Sequence, residues 1–211
     1  MTQKTLVLAG VAVAALAFAP QASAQSDVTA PGDLISLVNG FNDGDGNAGA
    51  PPANEGVEHA IDNVGQKYLN FLDVASGFTV TPSAGPSIIT GIRLWTANDA
   101  TERDPASVQV EGSNDGSTWT VLLNSAVSLP TGRNGGGNAA LEGSNNRQID
   151  FVNTTAYTSY KVIFPTLRNA NTANSMQIAE VELLGTVVPE PSTLALLGLA
   201  GGLGLALRRR K

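Results

Sequence analysis

Between residues 85 and 185, apolar side chains recur at every second position, in short runs broken by turns. Ile92, Leu94 and Thr96 alternate with Arg93 and Trp95, and Ala106, Val108 and Val110 alternate with Ser107, Gln109 and Glu111. Trp119, Val121 and Leu123 share a face. So do Ile149 and Phe151, then Tyr160, Val162 and Phe164, then Ala179, Val181 and Leu183. A period of two places successive side chains on opposite faces of a strand, giving each run one face for a core and one for water. Turn signals separate the runs: Asn114-Asp115-Gly116, Pro130-Thr131-Gly132 and the glycine-rich stretch from Arg133 to Arg147. No sustained 3.6-residue period competes in this region. The pattern predicts an all-β protein, a sandwich or barrel of short strands.

Composition narrows the chemistry. The 211 residues include 23 glycines and 11 prolines, and only 14% are charged, which suits turn-rich β structure better than a helical bundle. Cysteine is absent, which excludes disulfides and thiolate metal sites. His59 is the single histidine, so two-histidine metal sites are excluded as well. No Gly-x-Ser-x-Gly element or phosphate loop is present. Of twelve basic residues, five sit at the ends: Lys4, Arg208, Arg209, Arg210 and Lys211. The middle then carries seven bases against eighteen acids, a net −11. Such a surface repels phosphate backbones and argues against nucleic acid as a partner.

Residues 1–24 read as a secretion signal. Lys4 gives the positive start, Leu6 to Ala19 an apolar run, and Ala22-Ser23-Ala24 a small-residue cleavage site with Ala22 and Ala24 at its key positions. The far end is a second apolar run, fourteen uncharged residues from Leu194 to Leu207, closed by Arg208-Arg209-Arg210-Lys211. As a helix it would span about 21 Å at roughly 1.5 Å per residue. Thr193 and snorkelling arginines would extend it toward the roughly 30 Å hydrocarbon core, so a short transmembrane helix is expected over about 193–207. The basic cluster would stay cytoplasmic and leave the domain outside. Val188-Pro189-Glu190-Pro191-Ser192-Thr193 stands just before it. Pro-Glu-Pro, a short apolar helix and an Arg-rich end, in that order, resemble the PEP-CTERM sorting signal of Gram-negative bacteria. The resemblance implies recognition by an exosortase-type membrane protease and cleavage near Pro189, Glu190 and Pro191. An inner-membrane intermediate would then be released to the cell surface or extracellular matrix.

Residues 25–53 are expected to be a flexible segment. Asp43, Asp45 and Asn47 have the spacing of a calcium loop, but Ala48 and Asn54 stand where an EF-hand needs glycine and glutamate, so the stretch reads as a solvated turn. The domain proper is expected over 54–185, with the sorting tail over 186–211. Its most informative part is Val108 to Leu122, VQVEGSNDGSTWTVL, a strand running into an Asp-Gly turn with Trp119 on the returning strand. This resembles the discoidin family, also called the coagulation-factor C-domain or galactose-binding-like family. Glu58 to Asn63 with Lys67 to Phe71, Asn98 to Ser107, and Gln177 to Leu183 stand in the family's order. The family's usual Asp-Gly is Asp62-Asn63 here, its following Trp is replaced by Tyr68 and Phe71, and its disulfide is impossible.

The resemblance implies a jelly-roll β-sandwich, flanked by the signal helix and the C-terminal helix, with a structural calcium held by Asp62 and Glu180. Calcium takes six to eight oxygens, and loop carbonyls near Asn63 to Lys67 would complete the shell. Glu180 falls opposite the inward phase of Ala179, Val181 and Leu183; an exposed strand glutamate is the plainer alternative. Asp99, Glu102, Arg103 and, if exposed, Trp95 are the candidate ligand-binding residues. The competing expectation has Arg103 paired with a neighbouring carboxylate in a structural loop and Trp95 in the core. Trp119 is expected in the core beside Val121 and Leu123. The Asn153-Thr154-Thr155 sequon is not expected to carry sugar, given the bacterial tail. The leading reading is an exported, non-enzymatic surface or matrix protein that binds extracellular polysaccharide. Its rivals are a structural matrix protein making protein–protein contacts and a glycan-cleaving enzyme, which would need two carboxyls facing a scissile bond.

Overall fold

A computed structural model describes residues 25–38, 52, 54–71 and 75–188. Eleven strands follow one another: β1 (Ser26–Asp27), β2 (Leu34–Val38), β3 (Tyr68–Asn70), β4 (Ser76–Thr81), β5 (Ser87–Trp95), β6 (Ser107–Ser113), β7 (Thr120–Ala126), β8 (Asn146–Asp150), β9 (Ser159–Phe164), β10 (Met176–Ile178) and β11 (Glu180–Val187). Two single 3₁₀ turns, Val57–Ile61 and Thr101–Arg103, are the only helical elements among the described residues. All pairings between the strands are antiparallel. They form a four-stranded sheet ordered β1-β11-β5-β8, a five-stranded sheet ordered β2-β4-β9-β6-β7, and a two-stranded ribbon of β10 and β3. The fold is an all-β sandwich.

The alternating runs supply the core. Phe78 and Val80, Tyr160, Val162 and Phe164, and Val108 and Val110 face inward from the five-stranded sheet, all fully buried. Ile92 and Leu94 meet them from the other sheet, directly opposite Leu183 and Val181. Burying each such side chain contributes about 1.5–3 kcal/mol. Tyr68 and Asn70 lie in this core too, the Asn70 amide donating to the Tyr68 hydroxyl at 2.7 Å.

Two expectations are corrected. Residues 25–53 were expected to be flexible, yet β1 pairs with β11 and β2 pairs with β4. The sandwich therefore begins at Ser26 and runs to Val187 rather than spanning 54–185. A one-residue irregularity also breaks the β6–β7 register: Leu123 opposes Val110, whereas Val121 opposes Glu111. A bulge of this kind flips the side-chain phase. Leu123 thus joins the inward set, while Val121 is 55% exposed and Trp119 is half-buried on the outer side.

Candidate functional site

Three places hold chemistry. At one end, the Val57–Ile61 turn packs against β11, and the chain leaves it through Asn63 in a left-handed conformation with φ 63°. That turn aims the Asn63 N–H at Glu180 Oε2, 2.7 Å away. Asp62 accepts from Val64 N–H through Oδ1 at 3.1 Å and lies 2.6 Å from His59 Nδ1 through Oδ2. Glu180 is fully buried, and its second oxygen, Oε1, has no hydrogen-bond partner. Burial pushes its carboxyl up to about 9 against the pull of Asn63 N–H, with Asp62, Asp27 and Glu182 adding negative charge nearby. Burial also pushes Asp27 up to about 6. The cations near this corner are committed: Arg93 pairs with Glu182 at 2.7 Å, and Lys67 with Asp99 at 2.8 Å.

This corner fits a hard cation on chemistry. It offers a buried carboxylate oxygen without a partner, a second carboxylate nearby and a surplus of negative charge. Among the described residues no three His, Cys, Asp or Glu side chains converge, so backbone oxygens would have to supply the rest.

The residues expected to bind a ligand separate. Trp95 is only 7% exposed, a correction to an open stacking ring. It lies directly across from Glu180, where the sheet is buried on both faces, and its Nε1 has no partner. Asp99 is held by Lys67, and its carbonyl accepts from Gln177 Nε2 at 2.9 Å. Arg103, expected to pair with a carboxylate, forms no ion pair among the described residues, and its Nε is buried without a partner. Asp104 takes the central part instead. Fully buried, it is clasped through both oxygens by Arg133 at 2.8 and 2.7 Å, with Arg168 at 3.2 Å. Such a fork stiffens the loop.

The third place was not foreseen as a site. On the outer face of the five-stranded sheet, a depression of about 370 Å³ is lined by Leu34, Ser36, Thr79, Thr81, Gly116, Trp119, Ser159 and Lys161. Cross-strand register explains its composition. Ser36 opposes Thr79, Thr79 opposes Lys161, Lys161 opposes Glu111 and Glu111 opposes Val121, so one row of outward side chains crosses all five strands. Lys161 Nζ lies 4.2 Å from the Trp119 ring centroid and 2.7 Å from Glu111. Glu111 also accepts from Gln109 at 2.6 Å. The hairpin that delivers Trp119 is tightly tied. Asp115 accepts from Thr118 N–H at 2.7 Å and Ser117 N–H at 2.8 Å, which hold its carboxyl well below the ordinary range. Gly116 supplies the positive φ of 69°, and Asn114 bonds to Thr158 N–H and the Ala156 carbonyl. The polar phase of Ser159 and Lys161 was visible in the sequence, but nothing there says which strands lie beside it.

Ala22, Ala24, Pro189, Glu190, Pro191 and the expected helix over 193–207 lie outside the described residues. Among the described residues no helix is long and apolar enough to cross a membrane.

Comparison with known proteins bears on both parts of the chain. Residues 187–211 match the PEP-CTERM protein-sorting motif. The motif marks an exported protein sorted through exosortase, as is typical of Gram-negative bacteria. No curated protein matches the chain in sequence. The fold is shared with solved carbohydrate-binding modules. One is the family 32 module of Clostridium perfringens NanJ in complex with galactose, 10% identical, covering 76% of this chain and 98% of that one with a TM-score of 0.53. Another is a C. perfringens family 32 module in complex with GalNAc-β-1,3-galactose, 12% identical, covering 76% and 100% with a TM-score of 0.52. The fold is shared as well with the C-terminal domain of a chitobiase from Bacteroides fragilis, 16% identical, covering 78% of this chain and 99% of that one with a TM-score of 0.52.

Proposed function

We propose that this chain is a non-enzymatic, glycan-binding protein of a Gram-negative cell surface or extracellular matrix. It would reach that place through a membrane-held intermediate whose tail an exosortase-type protease cleaves near Pro189-Glu190-Pro191. The observation that carries the reading is the pairing, in one chain, of a sandwich shared with solved carbohydrate-binding modules and a C-terminal sorting motif. Fold likeness at this identity supports the binding role only by analogy, so the site must supply the chemistry. Catalysis is not part of the reading, because Asp99 is already held by Lys67 and Asp104 is sealed by arginines.

In this reading Asp62, beside the Val57–Ile61 turn, and Glu180 on β11 would hold a calcium ion. Calcium would supply the positive charge that lets Glu180 ionise while buried. The protein's own part is to position that carboxylate through the Asn63 N–H.

The test is a neutral and acidic glycan array probed with the mature exported protein, weighed beforehand by mass spectrometry. The expected species lacks Leu194–Lys211 and binds a defined set of sugars. Silence across the array would favour a structural matrix role, and a retained tail would refute processing.

A further inference from the structure

The depression beneath Trp119 is walled by an aromatic ring and floored by hydroxyls, and the only charge lining it is already compensated. We infer that this outer face of the five-stranded sheet is the sugar-binding site and that its ligand is an uncharged glycan. The inference rests on the glycan-binding reading above and adds to it a location and a ligand class.

Pre-organisation is the first argument. An aromatic side chain binds well when it loses little freedom on contact. Trp119 meets that condition from two sides. The Asp115 turn and Asn114 fix the backbone that leads into it, and Lys161 fixes the ring at 4.2 Å. Lys161 is itself anchored at 2.7 Å by Glu111, a residue only 9% exposed. This chain of contacts spends four polar groups on holding one half-buried ring at the surface.

Chemical match is the second. A pyranose ring has apolar C–H faces and a hydroxyl rim. The site offers both kinds of partner: Trp119 and Leu34, the latter 75% exposed, and between them the hydroxyls of Ser36, Thr79, Thr81 and Ser159. Thr81 and Ser159 bond to each other at 2.8 Å. Each hydroxyl carries one donor and two acceptor positions, so that pair retains capacity for a ligand. The volume, about 370 Å³, falls within the range of small-molecule sites, about 300–1,000 Å³.

Charge decides the ligand class. Lys161 is the one ionised residue lining the depression, and its ammonium is shared between Glu111 and the indole. A uronate, sulfate or phosphate would have to displace Glu111 to gain a cation, and would meet a domain that is acidic overall. A neutral sugar loses nothing to either effect.

The experiment titrates the mature exported protein and three variants against neutral and uronate-containing oligosaccharides. Trp119→Ala removes the wall. Ser36→Arg fills the floor from an exposed position, and so blocks the site even if the first variant is poorly folded. Glu102→Ala probes the 99–104 loop. The expected result is neutral-glycan binding by the wild type, weakened on the order of tenfold or more in Trp119→Ala and Ser36→Arg. Unchanged binding in both would overturn the location while leaving the glycan reading intact, and loss in Glu102→Ala alone would move the site to that loop. Binding to uronates only would overturn the uncharged class. A wild type that binds no sugar would sink the glycan reading and this inference together.

Discussion

The Glu180 corner and the Trp119 depression are opposites in how they treat charge. At the corner, a fully buried carboxylate has one oxygen without a partner, and three further acids press on it. In the depression the ionised groups are matched, lysine to glutamate and lysine to indole. The corner is unfinished as protein alone: it needs a proton or a cation for the fold's own sake. The depression is finished and can stay open to solvent until a ligand arrives. On the proposed reading, this divides the labour between a structural site and a recognition site on one sandwich.

The sharpest way to break the comparison is to titrate the corner. Glu180 is raised in the folded state from its ordinary 4.5 to about 9, so between those values the folded protein holds a proton that the unfolded chain has released. Stability contributed by this group is full below pH about 4.5 and is lost as pH rises through about 9. The slope is at most about 1.4 kcal/mol per pH unit in metal-free protein. Glu180→Gln keeps an acceptor for the Asn63 N–H and removes the proton. Denaturant unfolding from pH 5 to 9 is therefore expected to show a flatter profile in the variant, and equal slopes would remove the corner's special status.

Calcium comes next in size. At one hundred times its dissociation constant it should add about 2.7 kcal/mol, or on the order of 5–10 °C in melting temperature for a domain of this length. The gain should disappear on chelation and be absent in Glu180→Gln. No rise in the wild type, and no heat on titrating calcium into chelated protein, would leave the proton as the corner's only counter-charge.

The smallest effect belongs to the depression. Leu34→Ser should change stability by no more than about 0.5 kcal/mol in urea, because the side chain is 75% exposed. A loss several times larger would mean that the depression's rim is structural.

Much of this molecule was legible from local pattern. Strands β5, β6, β9 and β11 follow the alternation, because a half-buried strand must put its apolar residues two apart. Strands β3 and β10 are three residues each, too short to show a period, and β2 reads Leu-Ile-Ser-Leu-Val without clean alternation. Asp62 and Glu180 were singled out from the order that the discoidin resemblance implies. The burial of Glu180 was not, since the turn that covers it lies more than a hundred residues away in sequence. The choice between an open and a buried Trp95 stayed undecided for the same reason, since Trp95 is the cross-strand neighbour of Glu180. Trp119 was misplaced because a single bulge at Leu122 reverses the phase between Leu123 and Val121.

By itself the sequence determined the strand-forming runs, the tight Asp115-Gly116 turn and the sorting motif at the terminus, because each depends on residues close together in the chain. Only the tertiary structure decided which polar stripes lie side by side. Ser36, Thr79, Lys161 and Glu111 come from four strands far apart in sequence, and strand pairing brings them into one row. Registry between distant strands is set by the joint burial of the opposite, apolar faces. The outward face, and whatever it recognises, is therefore a consequence of how the core packs.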